Sequence, residues 1–425
     1  MTPEKMTPEL DMEELNKRRV ERYHRRQQAY VQKKRKKRIT MIAICLLMIA
    51  IGAGVFFLVR AEEKESDQTP TVMHSGEETP EDATVIQLVA AGDLNINDVV
   101  VSAGGQEYDY TDTFLDVSHL LAEGDITVLN FEGNLCGAPY GTSTHSAPQT
   151  LVEALSRCGV DMLQLANSYS INQGISGLQA TIQSVKGAGM EPLGVYADER
   201  AYKQGKGYTI KDVQGVKIAF VAFTKGMDGM TLPQGSDHCV NVLYSDYDST
   251  YQTLNKDAIN KVLDAAAAEN PDLTVAMLHW GSEFNDTISK TQESLVKLLQ
   301  EKGVDAIIGT HPHYVQQMTY DPENGRFVAY SLGDFLSDGE KSGTEYSIIL
   351  KLEITKSGAD TKITGYSYTP IFSVAERGNP LRVVRIRENM AAFESNYIKR
   401  VTEKTYDEMV YALTRIDSRV QGDKK

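Results

Sequence analysis

Five short apolar runs, each closing on residues that bind metals or polarise phosphates, constrain this chain more than any other feature. They are 85–92 ending at Asp93, 125–129 ending at Asn130, Phe131 and Glu132, and 161–166 ending at Asn167. The others are 273–278 ending at His279, Trp280 and Gly281, and 306–309 ending at Thr310, His311, Pro312 and His313. Runs of this length and character read as strands. Between them lie amphipathic stretches at 181–188, 257–268 and 292–302, the last stopping at Gly303 as a helix C-cap does. This alternation predicts an α/β fold with mostly parallel central strands. Segments 346–355 and 361–369 alternate apolar with polar residues and predict antiparallel edge strands.

In an open α/β sheet the ligand crevice lies beyond the carboxyl ends of the strands, so side chains distant in sequence converge there. Asp or Asn after one strand is an ordinary turn former, and a single histidine is more often a satisfied, partly buried one. Three of the eight histidines and two carboxylates at such ends together point to a site. Carboxylate and imidazole suit Mn, Fe or Zn, and no thiolate is needed. P-loop, Rossmann and zinc-finger spacings are absent, as are internal repeats.

Gly92-Asp93, Asn130-Phe131-Glu132, Leu165-Ala166-Asn167, His279-Trp280-Gly281-Ser282-Glu283-Phe284, Gly309-Thr310-His311-Pro312-His313-Tyr314-Val315-Gln316 and Tyr330-Ser331-Leu332-Gly333-Asp334-Phe335 follow one another in order. This series resembles the motifs of the CapA family, the capsule or poly-gamma-glutamate synthesis proteins. The resemblance implies a calcineurin-like metallophosphoesterase fold, a sheet sandwich flanked by helices, over residues 85–388. Carried over position by position, it makes Asp93, Glu132, His279, His311 and His313 the expected metal ligands, holding one or two divalent transition ions. Two such ions would polarise a phosphoryl oxygen and lower the pKa of a bridging water.

The third motif departs from the family. Where the family has Asn-Asn-His and, three residues on, Asp, this chain has Asn167-Ser168-Tyr169 and then Asn172. A tyrosine with an ordinary pKa near 10 does not carry a histidine's proton traffic at neutral pH. No catalytic residue is therefore assigned from the sequence. Asp334, where the family usually has Asn, adds negative charge nearby.

Residues 39–59 hold no charged side chain, a length that crosses a hydrocarbon core as a helix. Six consecutive basic residues, Lys33 to Arg38, precede them and only Arg60 follows. The positive-inside rule then predicts a single-pass protein of the cell membrane, with the N-terminus cytoplasmic and the main domain extracellular. A cleavable signal peptide fits less well, because the apolar span is long and no small-x-small cleavage site follows.

Residues 1–38 carry 13 Lys and Arg against 6 Asp and Glu, net +7, so with −14 for the whole chain the remainder carries −21. The basic segment 1–38 reads as a topology signal that touches anionic lipid of the bilayer rather than nucleic acid. Residues 60–84 are polar and acidic and predict a disordered stalk. Residues 389–425 predict a C-terminal helical segment whose Met390, Phe393, Tyr397, Val401, Tyr406, Met409, Val410 and Leu413 pack on the domain. Cys45 falls in the span, leaving Cys136, Cys158 and Cys239 with no metal-binding spacing and at most one disulfide.

Three functional readings follow. The first is a surface metalloenzyme of capsule polymer synthesis or export. The second is a non-hydrolytic domain that binds polymer or organises other membrane synthesis proteins. The third, a generic anchored phosphoesterase, rests on fold analogy alone. A strongly acidic outer domain would repel a polyanionic polymer at long range, which local cations or bound metal would offset.

Overall fold

A computed structural model describes residues 71–74, 82–376, 378–395 and 401–422. The basic segment 1–38, the apolar span 39–59 and most of the expected stalk lie outside the described residues. Among the described residues no helix is long and apolar enough to cross a membrane.

The expected sheet sandwich is present as an α/β fold. Strands β1 (Thr71–His74), β2 (Thr84–Asn95), β3 (Ile126–Glu132), β4 (Met162–Gln164) and β5 (Glu191–Leu193) belong to a nine-stranded sheet. Strands β6 (Tyr208–Val213), β7 (Val216–Thr224), β8 (Leu273–His279), β9 (Ala306–Thr310), β10 (Met318–Asp321) and β11 (Arg326–Ala329) form a second, six-stranded one. The chain then returns to the first sheet with β12 (Asp334–Leu336), β13 (Tyr346–Ser357), β14 (Asp360–Val374) and β15 (Arg382–Arg385). Pairing of β2, β3, β4 and β5 is parallel throughout, as is that of β7, β8, β9 and β11.

Strand alternation explains why these runs are apolar throughout. In β7, Ile218 and Phe220 face a core between the sheets, with Leu88, Met277 and Ile348. The intervening Ala219, Val221 and Phe223 face an outer core with helices α3 (Lys256–Ala267) and α4 (Lys290–Glu301). Helices α1 (Gln149–Arg157) and α2 (Gly174–Gly187) cover the other sheet, placing Leu151, Leu155, Leu178 and Val185 against Val89 and Leu129. Both faces of the parallel strands are therefore buried, and period-2 alternation puts apolar side chains on both. Helix α4 starts at a capping box in which the Ser289 hydroxyl accepts from the Gln292 N–H and the Gln292 side chain accepts from the Ser289 N–H. It ends before Gly303, at φ 83°.

Three expectations need correction. Residues 71–74, expected as stalk, pair antiparallel with β14, which otherwise leaves an edge open. Strands β13 and β14 are antiparallel but internal: β13 lies between β2 and β14, and β14 also pairs with β1 and β15. Their half-polar pattern imitates an edge because one face of β13, with Tyr346, Ile348, Leu350, Leu352 and Ile354, lies in the inter-sheet core, while Lys351 and Glu353 on the other face are only partly buried. The expected boundary at 388 falls inside helix α5 (Ile386–Glu394). As expected, helix α6 (Glu403–Gln421) packs back on the domain, burying Met409, Ala412, Ile416 and Val420 in the inter-sheet core, whereas Val410 is exposed. Tyr397 lies outside the described residues. Cys136, Cys158 and Cys239 are free thiols.

Candidate metal centre

The parallel strands of both sheets end on one side, and all five expected ligands gather there. Asp93 sits near the end of β2, Glu132 ends β3, His279 ends β8, and His311 and His313 follow β9. Each is at most 5% exposed. Two close backbone approaches, one beside β2 and one beside β9, fix the chain at this end. A Cβ on Gly92 would lie 1.8 Å from the Gly333 carbonyl oxygen, so only glycine lets the Asp93 N–H reach that oxygen at 3.0 Å. Gly309 likewise makes room for the Tyr330 carbonyl, which accepts a 2.8 Å hydrogen bond from the Trp280 indole. The two aromatic rings stack at 5.7 Å.

The donor set fits a cation. Both carboxylate oxygens of Glu132 and both ring nitrogens of His311 are buried without a hydrogen bond. Glu132 Oε1 lies 2.9 Å from His279 Nε2, close enough for an ion pair, yet the angle does not make a hydrogen bond. An unsatisfied buried carboxylate costs several kcal/mol, and a coordinated ion is the partner that relieves it. Three groupings bring ligand atoms within 4.8 Å of one another: Glu132 with His279 and His311, Asp93 with Glu132 and His313, and Glu283 with His311 and His313. They share members, so the cluster is continuous.

Neighbouring groups orient these ligands. The Asn130 amide donates to Asp93 Oδ1 at 2.5 Å, and the His311 N–H donates to Asp93 Oδ2 at 2.9 Å. Asn167 in turn donates to Asn130 Oδ1 at 3.2 Å. If His279 Nδ1 carries the proton it donates to Thr310 Oγ1 at 3.1 Å, which leaves Nε2 as the lone pair facing Glu132 and Ser168. His313 donates from Nδ1 to Asp334 Oδ1 at 2.7 Å. Its Nε2 would ligate once an ion displaces the imidazolium proton, the carboxylate–imidazole–metal arrangement that fixes ring orientation. His311 and His313 both hold positive φ, 90° and 57°, a conformation that non-glycine residues adopt at a cost near functional sites.

The charges are mutually dependent. Burial, then the Glu132 charge, raises Asp93 to about 6. Burial is also the main reason that Glu132 rises to about 7, while His313 and His145 pull it down and Glu283 pushes it further up. Asp334 rises to about 7 for the same reason, against the pull of His313. Burial opposes the His313 imidazolium, but Asp334, with Glu132 and Asp93 behind it, outweighs burial and holds it well above the ordinary value. Burial drives His279 down to about 3 and His311 well below its usual range, leaving both neutral and free to ligate.

The altered third motif lines the same cleft. Ser168 Oγ lies 3.0 Å from His279 Nε2, at the position expected of a ligand. Tyr169 stacks on His145 with ring centroids 3.8 Å apart. Burial, then the charges of Glu132, Glu283 and Asp228, push the Tyr169 hydroxyl further above its ordinary value, so it is a poor acid at neutral pH. Asn172 is not drawn to the cluster; it accepts from the Gln173 amide at 2.9 Å.

Sequence reasoning missed several neighbours. Glu283 lies inside a quoted motif and its position beside His311 was the available signal. Lys225, directly after β7, had none, because that strand was not among the runs singled out. His145 sits in a loop outside every motif, where its Nδ1–H donates to the Ile96 carbonyl at 2.9 Å.

The fold and the cluster define an α/β two-sheet protein with a buried carboxylate–imidazole centre of metal-ligating character. The family model described as bacterial capsule synthesis protein PGA_cap matches residues 87–339, and the chain belongs to that family. It is 25% identical over 342 residues to the capsule biosynthesis protein CapA of Bacillus anthracis, covering 77% of this chain and 76% of that protein. With the PGA biosynthesis protein CapA of Bacillus subtilis it shares 25% identity over 233 residues, about half of each chain (52% and 53%). A probable polyglutamine synthesis accessory protein of Mycobacterium tuberculosis is 22% identical over 255 residues, 60% of this chain and 64% of that one. Among solved structures, a calcineurin-like phosphoesterase of Bacillus subtilis aligns over 77% of this chain and 99% of its own, at 16% identity and a TM-score of 0.40. A phosphatase from Mycoplasma pneumoniae aligns over 68% and 94%, at 12% identity and a TM-score of 0.42.

Proposed function

We propose that this chain is a membrane-anchored accessory protein of capsule or polyglutamate synthesis. Its strand-end centre holds one or two divalent transition ions that serve to bind polymer rather than to hydrolyse it quickly. The observation that carries this reading is the set of orphaned buried atoms on Glu132 and His311, in a chain of the PGA_cap family. Asp93, Glu132, His279, His311 and His313 are the ligands, with Glu283 within reach of His311 and His313. A bound ion would supply Lewis acidity and local positive charge, which offsets the acidic domain toward a polyanion. The span 39–59 anchors the chain, and the domain lies outside the cell with other membrane synthesis proteins as partners.

Ser168 and Tyr169 favour binding over turnover, because neither supplies a proton readily at neutral pH. Deletion of the gene in its host, with surface polymer as the readout, tests the role. Unchanged polymer in the deletion strain would contradict it. Protease added to intact cells or protoplasts should degrade the domain; protection of the domain with loss of the N-terminal segment would reverse the topology.

A further inference from the structure

Lys225 is placed where an anion would meet the metal cluster. It follows β7 directly, and its backbone N–H donates to the His279 carbonyl at 2.7 Å, so its position is tied to that of a ligand. The ammonium donates to the Gly281 carbonyl at 2.9 Å and lies 4.8 Å from the centre of the Tyr251 ring. An ammonium has three donors, so two remain free after the Gly281 bond. Lys225 is partly buried, and the nearby Glu283 charge acts on it, although no hydrogen bond or ion pair joins the two among the described residues. Beside it opens a cavity of about 220 Å³ whose wall includes Ser168, Asp228, Ser282, Glu283 and His311. His311 therefore faces both this cavity and the candidate metal cluster.

We propose that Lys225 and this cavity form a carboxylate subsite taking one repeat unit of an amide-linked acidic polymer, with the carboxylate on Lys225 and the amide N–H on Asp228 or Glu283. This rests on the polymer-binding reading above and specifies its chemistry. The pattern of donors and acceptors selects the class. The carboxyl oxygens of Asp228 and Glu283 offer hydrogen-bond acceptors, which suit an amide N–H better than the oxygens of a phosphoryl dianion. A glutamyl unit joined through its side chain presents a singly charged carboxylate and an amide N–H on the same carbon, which matches one cation beside acceptors. The cavity is smaller than the roughly 300–1,000 Å³ of drug-sized sites, which fits one unit rather than a long stretch.

The test uses the detergent-solubilised full chain loaded with Mn²⁺ and titrated calorimetrically with tri-γ-glutamate and, separately, with inorganic phosphate. A charge-assisted hydrogen bond predicts that Lys225→Met weakens the oligomer about 10- to 100-fold. Lys225→Arg should restore most of that affinity, and Lys341→Met, a cation over Phe284 that lines a different cavity, should leave it near the wild-type value. Metal content, measured alongside, should be the same in all forms. Oligomer affinity unchanged in Lys225→Met would overturn the subsite while leaving the polymer reading intact. Phosphate binding that is tighter than oligomer binding and lost in Lys225→Met would overturn the assigned class. Failure of the wild-type chain to bind the oligomer would overturn both the subsite and the polymer reading.

Discussion

On the histidine side of the cleft, Glu132 and His311 bury four polar side-chain atoms without a hydrogen bond, whereas the turn at Asn167 and Ser170 leaves almost none unmatched. The Asn167 amide donates to the Phe131 carbonyl at 2.7 Å and its own oxygen accepts from the Tyr169 N–H at 3.1 Å. The Ser170 hydroxyl caps the Leu165 carbonyl at 2.6 Å and accepts from the Asn167 N–H at 2.9 Å. The first region is built for a partner that carries positive charge; the second is complete as it stands. A turn satisfied in this way positions Ser168 and Tyr169 but gives them no proton to move. The comparison therefore sets apart two proposals: ion binding at the first region, and weak general acid catalysis at the second.

The largest test of that separation is to return proton chemistry to the turn. The double change Ser168→Asn with Tyr169→His should raise hydrolysis of an activated aryl phosphate by about 10²–10⁴ over a very low wild-type rate. High wild-type activity abolished by the double change would show that another group already acts as the acid, and His145, stacked on Tyr169, is the first to examine.

Acidity comes next. Glu132 at about 7 and Asp93 at about 6 are protonated over much of the range where they must ligate, so a metal has to displace those protons. Affinity should fall as pH drops from 8 to 6, by up to about tenfold per pH unit for each proton displaced. The contribution of these two carboxyls to the metal-free fold runs in the opposite sense, while the depressed His279 and His311 act against it at lower pH. A carboxyl whose pKa is raised on folding contributes stability fully below its unfolded value near 4, and that contribution is lost as pH rises through about 6 to 7. Calorimetric titration and thermal melts across this range check both signs.

Asp334→Asn should weaken metal binding about 10- to 100-fold, the usual effect of removing a carboxylate that orients a ligating imidazole. Unaltered affinity would mean that His313 is not a ligand. On the opposite wall, Asn167→Ala should cost about 1–3 kcal/mol in urea unfolding, because it leaves the buried Phe131 carbonyl short of a donor. Its effect on metal affinity should be smaller than that of Asp334→Asn, since it reaches Asp93 only through Asn130.

The gathering of the five candidate residues was legible because strand ends concentrate chemistry: Asp93, Glu132 and the three histidines each end or follow a continuous apolar run. The family resemblance named the same five. Helices α3 and α4 were visible to within two residues from periodicity and the Gly303 stop. Strand β7, by contrast, was passed over, and Lys225 with it. The β13–β14 pair was misplaced at an edge because local alternation does not tell which strand will lie beside it. His145 reaches the cleft only through its loop at the ends of β2 and β3, a tertiary contact with no counterpart in local sequence. Asp334 was visible as a departure from the family, but its hydrogen bond to His313 depends on the parallel register that sets Asp334 beside Asp93.

The most direct measurement is the metal content and Mn²⁺ or Zn²⁺ affinity of the wild-type chain and His311→Ala, purified together and checked for equal thermal stability after metal removal. His311 buries both ring nitrogens without a hydrogen bond, so its only evident polar role is to ligate. The account predicts one or two bound ions per wild-type chain and a loss of at least about tenfold in affinity on removing this imidazole. Equal metal content and equal affinity in the two proteins would contradict it.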